Sequence, residues 1–125
     1  MHITWHGQSC FQIIANGGKN VQTLITIDPF SESIGLRLPK LTADVVLVTC
    51  DDENCNNVKE VLPNQANQIK VPFIIDGPGE YDIKEIFVQG IEGNGTEDKK
   101  KEKAKNTIYA IEAEDIRICH LGSLC

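Results

Sequence analysis

The chain has no apolar run that approaches the roughly 20 residues needed to cross a bilayer, so no membrane partner is expected. Its start, Met1-His2-Ile3-Thr4-Trp5-His6-Gly7, lacks the basic and long apolar segments of a secretion signal, which makes the cytoplasm the expected location. Positive charge is also short. Against 18 Asp and Glu stand 12 Lys and Arg, and the net charge of −6 argues against a nucleic-acid partner, which would have to neutralise phosphates. There is no even set of cysteines either. The five present, at 10, 50, 55, 119 and 125, are expected as reduced thiols or ligands rather than as a disulfide framework. Asn94-Gly95-Thr96 fits a glycosylation pattern that an intracellular chain would not use.

What is present fits one soluble domain over residues 1–125, with 41% hydrophobic and 24% charged residues. Strand patterns dominate. Ile3 to Trp5 and Cys10 to Ala15 alternate, Asn16-Gly17-Gly18 supplies a hairpin turn, and Val21 to Ile27 returns before Asp28-Pro29 stops it. Ser31 to Leu41 reads as loop with at most one helical turn. Ala43 to Thr49 is apolar at every other position on both faces, which predicts a central strand buried on both sides. One short helix is expected over 54–62, with Val58, Val61 and Leu62 facing the sheet, Asp51 or Asp52 capping it and Pro63 ending it. Strands resume at Ile69–Ile75 and Ile83–Ile91, separated by the Asp76-Gly77-Pro78-Gly79 turn. A final hairpin spans Asn106–Ala113 and Ile116–Leu121 around Glu114-Asp115. The run 97–105 is a solvated charged loop. A single sheet with so little helix has an uncovered apolar face, which needs a further layer.

The stretch Val48-Thr49-Cys50-Asp51-Asp52-Glu53-Asn54-Cys55 has the spacing of the zinc-binding run H-x-H-x-D-H. Around it stand Ile3-Thr4-Trp5-His6-Gly7-Gln8-Ser9-Cys10-Phe11, Ile27-Asp28-Pro29-Phe30, Asp76-Gly77-Pro78-Gly79-Glu80-Tyr81 and Ile118-Cys119-His120-Leu121-Gly122. In this order the segments resemble the zinc-dependent hydrolases of the metallo-β-lactamase fold, in the branch related to sugar-lactone hydrolases. The resemblance implies an α+β fold, one half of an αββα sandwich. Family members run on for about another half-domain, which would carry a further acidic ligand, a last histidine and much of the pocket.

The resemblance also maps ligand positions. Cys50 and Asp52 fall on the first two histidines, Asn54 on the aspartate and Cys55 on the last histidine of the loop. His120 matches the later histidine, Asp28 the carboxylate that orients a ligand, and Ser123 stands where relatives have aspartate. Cys50, Asp52, Cys55 and His120 make a two-sulfur, one-nitrogen, one-oxygen set acceptable to tetrahedral zinc. Alternation along the strand puts His120 with Ile116 and Ile118 and turns Cys119 away.

Catalytic residues are not expected. Asn54 does not ionise and cannot replace a carboxylate as base, and two thiolates make zinc a poorer Lewis acid. Replacing histidine by cysteine takes more than one nucleotide change, and it occurs at two ligand positions, which favours selection for thiols or engineering over decay.

A metal-free alternative stands beside this reading. The acidic residues then simply favour a helix N-terminus, and Cys50 and Cys55 are small hydrophobes or, against a reducing compartment, a disulfide pair. His2 and His6 read as surface or packed histidines, Cys10 beside Ser9 has no base at a suggestive spacing, and the Gly77-Pro78-Gly79 turn lacks the lysine of a phosphate loop.

The leading expectation is therefore a hydrolase-like half-domain with a remodelled metal site, not hydrolytically competent alone and completed by homodimerisation through its open sheet face. The alternatives are a zinc-dependent ester or lactone hydrolase active as a dimer or with a second half-domain, and a structural zinc-binding or assembly module.

Overall fold

The computed structural model describes residues 1–18, 21–94 and 105–123. Among the described residues, eleven strands form three sheets: β1 His2–Gly7, β2 Cys10–Asn16, β3 Gln22–Ile27, β4 Leu41–Ala43, β5 Val45–Leu47, β6 Val61–Pro63, β7 Phe73–Ile75, β8 Gly79–Ile83, β9 Ile86–Asn94, β10 Lys105–Ala113 and β11 Ile116–His120. The first sheet has the order β1-β2-β3-β5-β7, antiparallel through β3 and parallel from β3 to β7. The second, β11-β10-β9-β8, is antiparallel throughout. The pair β4-β6 is a small parallel sheet of its own.

Period-2 alternation explains how these layers close. Ile13, Ala15, Ile25, Ile27, Val45, Leu47 and Ile75 point from the first sheet into a core shared with Ile86, Val88, Tyr109, Ile111 and Ala113 of the second. The intervening residues Val46 and Val48 face the other way. There they join Cys10, Phe30, Leu41, Ala43, Val61 and the two loop cysteines in a second core. The strand expected to be buried on both faces is so buried: Val45, Val46 and Leu47 are all fully inaccessible. Burying each such side chain contributes on the order of 1.5–3 kcal/mol, so this short strand ties the two cores together.

Two expectations about the layers need correction. The chain is not one sheet with an open apolar face, because its second half folds back as a separate sheet and covers that face. Alternation reports which residues point inward but not which strands share a ladder. The helix expected over 54–62 is also absent. Val58–Glu60 form a single 3₁₀ turn, and Val61 already pairs with Leu41 in β6. The cause is local competition: the Asn57 N–H bonds to the Pro29 carbonyl at 2.9 Å and its side-chain amide to the Phe30 carbonyl at 3.1 Å, so the backbone is spent on tertiary partners. β-branched Val58 and Val61 favour that outcome.

β3 ends before Asp28-Pro29 as expected, and the expected turn at Glu114-Asp115 is present with both residues at positive φ. Asp44 interrupts the expected run Ala43–Thr49. Buried, it accepts hydrogen bonds from the Leu24 N–H at 2.7 Å and from the Asn64 and Asn67 amides at 3.0 and 2.9 Å, so the chain kinks there from β4 into β5. Of the charged run 97–105, only Lys105 lies within the described residues. No helix among the described residues is long and apolar enough to cross a membrane.

Candidate metal centre

The site is assembled where β3 and β5 end side by side. Asp28 leaves β3 with φ 51°, a left-handed conformation that costs a non-glycine residue about 1 kcal/mol. Its backbone N–H still bonds the Leu47 carbonyl at 2.9 Å, which holds the turn against β5. The turn aims a fully buried carboxylate at the next residue of the neighbouring chain segment, Thr49. Asp28 accepts from the Thr49 N–H at 2.8 Å, from the Thr49 hydroxyl at 2.6 Å and from the Ser9 hydroxyl at 2.9 Å. Burial pushes its carboxyl above the usual range, while the bonds from Thr49, the nearby His120 and the Ser9 hydroxyl pull it down; burial is the largest effect. All three donors present hydrogens, so the network is built for an acceptor.

Thr49 is thereby fixed, and Cys50 follows it. The loop then turns tightly. The Asp52 carbonyl accepts from both Cys55 N–H at 3.0 Å and Asn56 N–H at 3.1 Å, and an Asp52 carboxylate oxygen accepts from Asn54 N–H at 2.8 Å. This folds Cys55 back beside Cys50, with Cα atoms 5.6 Å apart, and the two are joined as a disulfide. The expectation of unpaired thiols is corrected here, because the turn made by Asp52 brings together what the four intervening residues leave open.

Cys50 and Cys55 are buried and Asp52 is exposed, yet one ligand atom from each lies within 4.8 Å of the others. Lys105 reaches Asp51 at 3.3 Å across the surface, an exposed pair of little energetic weight. Asn54 is exposed.

His120, the fourth expected ligand, is not in that group. It ends β11, packs edge-on against Phe11 with ring centroids 5.7 Å apart, and has both ring nitrogens engaged. Nε2 lies 3.0 Å from the Ser9 carbonyl, and Nδ1 accepts the Gly122 N–H at 3.1 Å. A carbonyl can only accept, so these partners select the neutral tautomer protonated at Nε2. A connected path thus runs from His120 through Ser9, Asp28 and Thr49 to Cys50. Cys119 is exposed, in keeping with its expected opposite face, and Cys10 is buried, its thiol pushed up to about 12 by burial and by Asp28. His6 Nε2 is buried and finds no hydrogen-bond partner among the described residues.

Four residues of the site carry no signal in the sequence. Ser9 and Thr49 are small hydroxyls within apolar segments, and their role depends on Asp28. Tyr109 reaches across from the second sheet and shares its hydroxyl between the Val48 and Ile75 carbonyls at 2.8 and 3.1 Å. Asn106, almost fully buried, donates to the Leu121 carbonyl at 3.1 Å and accepts from Ser123 N–H at 2.9 Å, tying the segment after His120 to β10.

The donor chemistry decides what ion the loop suits. As a disulfide the two sulfurs are not thiolate ligands. Reduced, they and the Asp52 carboxylate form a compact two-sulfur, one-oxygen set of the kind zinc accepts.

The family model of the β-lactamase superfamily domain matches residues 2–125. A solved structure from Thermotoga maritima, assigned as a Zn-dependent hydrolase of the metallo-β-lactamase superfamily, superposes with a TM-score of 0.66 at 31% identity. The match covers 96% of this chain and 48% of that one, so the chain spans about half the length of this relative. No curated protein matches the chain.

Proposed function

Since the chain belongs to the β-lactamase superfamily domain family, we propose that it is a hydrolase-like half of that fold whose remodelled loop holds zinc and which does not hydrolyse substrates alone. One observation carries the reading: Cys50, Asp52 and Cys55 converge within 4.8 Å on the loop after β5. Reduced, Cys50 and Cys55 supply thiolates and Asp52 a carboxylate. Asp28 acts on this loop indirectly, by clamping Thr49. Zinc bound there would polarise a carbonyl or acidify a water, but two thiolates donate charge and weaken both effects. Among the described residues, neither position matched to a family ligand offers a free base, since Asn54 is an amide and His120 spends both nitrogens on Ser9 and Gly122.

Reduced protein passed through a desalting column should retain about one zinc per chain by elemental analysis, and the Cys50→Ser/Cys55→Ser double variant should retain none. Esterase and lactonase assays of the zinc-loaded chain should stay at background. Metal-free reduced protein overturns the reading.

A second reading, a zinc-dependent ester or lactone hydrolase completed by another half-domain, draws on the half-length coverage of the relative. It expects hydrolysis only on adding that second half, and loss of it in His120→Ala. If the zinc is tight but hydrolysis never appears, the site serves as a structural or assembly module.

Pairing of two copies belongs to the proposal with a smaller surface than a whole sheet face. Where the edge strands β1 and β11 meet, a groove of about 390 Å³ is lined by Ile3, Phe11, Ile118 and Leu121, with Ile3 and Leu121 about half exposed. Trp5, also on β1, is 66% exposed. Light scattering at micromolar protein should give the mass of a dimer, and a stable monomer removes this part of the proposal.

A further inference from the structure

We infer that the Cys50–Cys55 pair is a thiol–disulfide switch that gates the metal centre: oxidised it excludes zinc, reduced it admits it. The inference rests on the zinc reading above and concerns its regulation. The same two sulfur atoms are claimed by two bonding states. They are joined in the disulfide, and they also belong to the group whose ligand atoms lie within 4.8 Å of Asp52. A sulfur bonded to sulfur carries no thiolate charge, so the two states exclude each other.

The loop is built to survive the change. Its backbone is anchored on both sides by bonds that do not involve sulfur: Thr49 to Asp28, Ser31 N–H to the Glu53 carbonyl at 2.8 Å, and Asn57 N–H to the Pro29 carbonyl at 2.9 Å. The Ser33 hydroxyl adds a bond to the Glu53 carboxylate at 2.9 Å. Breaking the disulfide therefore leaves the donors near one another. The Cα separation of 5.6 Å lies within the usual disulfide span, so closing it again needs no backbone movement. Access is unequal: Cys50 is 7% exposed and Cys55 1%, which makes Cys50 the sulfur that meets a reagent first.

The oxidant is a low-molecular-weight disulfide such as oxidised glutathione. The Cys50 thiolate attacks one of its sulfurs, that S–S bond breaks, and the first small thiolate leaves with the electron pair. The Cys55 thiolate then attacks Cys50 sulfur in the mixed disulfide and expels the second. Two electrons pass from the protein to the reagent, the two leaving thiolates take protons from water, and zinc, having lost both sulfur ligands, departs hydrated. A dithiol reductant reverses each step.

Trypsin places both cysteines in one peptide, residues 41–59, apart from Cys10, Cys119 and Cys125. Reduced, zinc-loaded protein is titrated with oxidised glutathione while a chromogenic chelator reports free zinc and mass spectrometry reports that peptide. Zinc release should rise in step with the loss of two hydrogens from peptide 41–59, and dithiothreitol should restore both. Asp52→Asn should keep the disulfide chemistry while binding zinc at least about tenfold more weakly.

Zinc that stays bound as the disulfide forms, or a peptide that stops at the mixed disulfide, overturns the switch and leaves the zinc reading standing. Reduced protein that binds no zinc overturns both.

Discussion

Asp28→Ala is expected to cost about 3–5 kcal/mol of folding stability, enough to bring a small domain close to unfolding. The substitution removes one buried acceptor from three donors, the Thr49 N–H, the Thr49 hydroxyl and the Ser9 hydroxyl, and leaves the Thr49 hydroxyl only a long contact to the Cys55 sulfur at 3.8 Å. Each buried unsatisfied group costs about 1–3 kcal/mol. The damage should also spread, because Thr49 starts the loop that carries Cys50 and Ser9 holds His120. Urea unfolding followed by tryptophan fluorescence measures the loss, and a change below about 1 kcal/mol would show that the network does not bear on stability.

Asp28→Asn separates charge from shape. Burial raises the folded carboxyl above its unfolded value, so the native state binds the proton more readily. That contribution to stability is fully present below the ordinary aspartate range and is lost as pH rises through the raised folded value. The wild type should therefore lose stability across that window, and Asp28→Asn should flatten the slope there.

Gly122→Ala is expected to cost about 2–4 kcal/mol, adding the strain of a side chain in the left-handed region to overpacking. Gly122 sits at φ 64°, and a Cβ there would lie 2.9 Å from Thr49 Cβ and would also overlap the Asn106 side chain. Neither neighbour can retreat. Thr49 is clamped to Asp28, and its carbonyl accepts from Thr107 N–H at 2.9 Å, while Asn106 holds Leu121 and Ser123. The Gly122 N–H also fixes the His120 tautomer. A fall in melting temperature, together with a change in the imidazole nitrogen shifts of His120, is the expected signature. An unchanged melting temperature would mean that the segment after β11 packs loosely.

Much of the fold follows from local rules. Alternation places Val45 and Leu47 on one face and Val46 and Val48 on the other. Pro29 has no N–H for a ladder, and glycine and acidic turn residues mark the hairpins. The helix failed because Asn57 found partners at Pro29 and Phe30, which no window of sequence contains. The chemistry was legible in outline through resemblance: Cys50, Asp52 and Cys55 were named as candidate ligands and do converge. His120 was named with them but is not in that group, and its ring nitrogens face the Ser9 carbonyl and the Gly122 N–H.

The sequence by itself determined the family, the inward-facing residues of the strands and the loop on which thiols replace histidines, because each depends on residue type and short spacing. Only the tertiary structure decided that two sheets close over one core, that Cys50 and Cys55 are bonded, and that Asp28 grips Thr49. Those facts depend on contacts between residues far apart in the chain, where the turn made by Asp52 and the left-handed backbone of Asp28 set directions that no local pattern encodes.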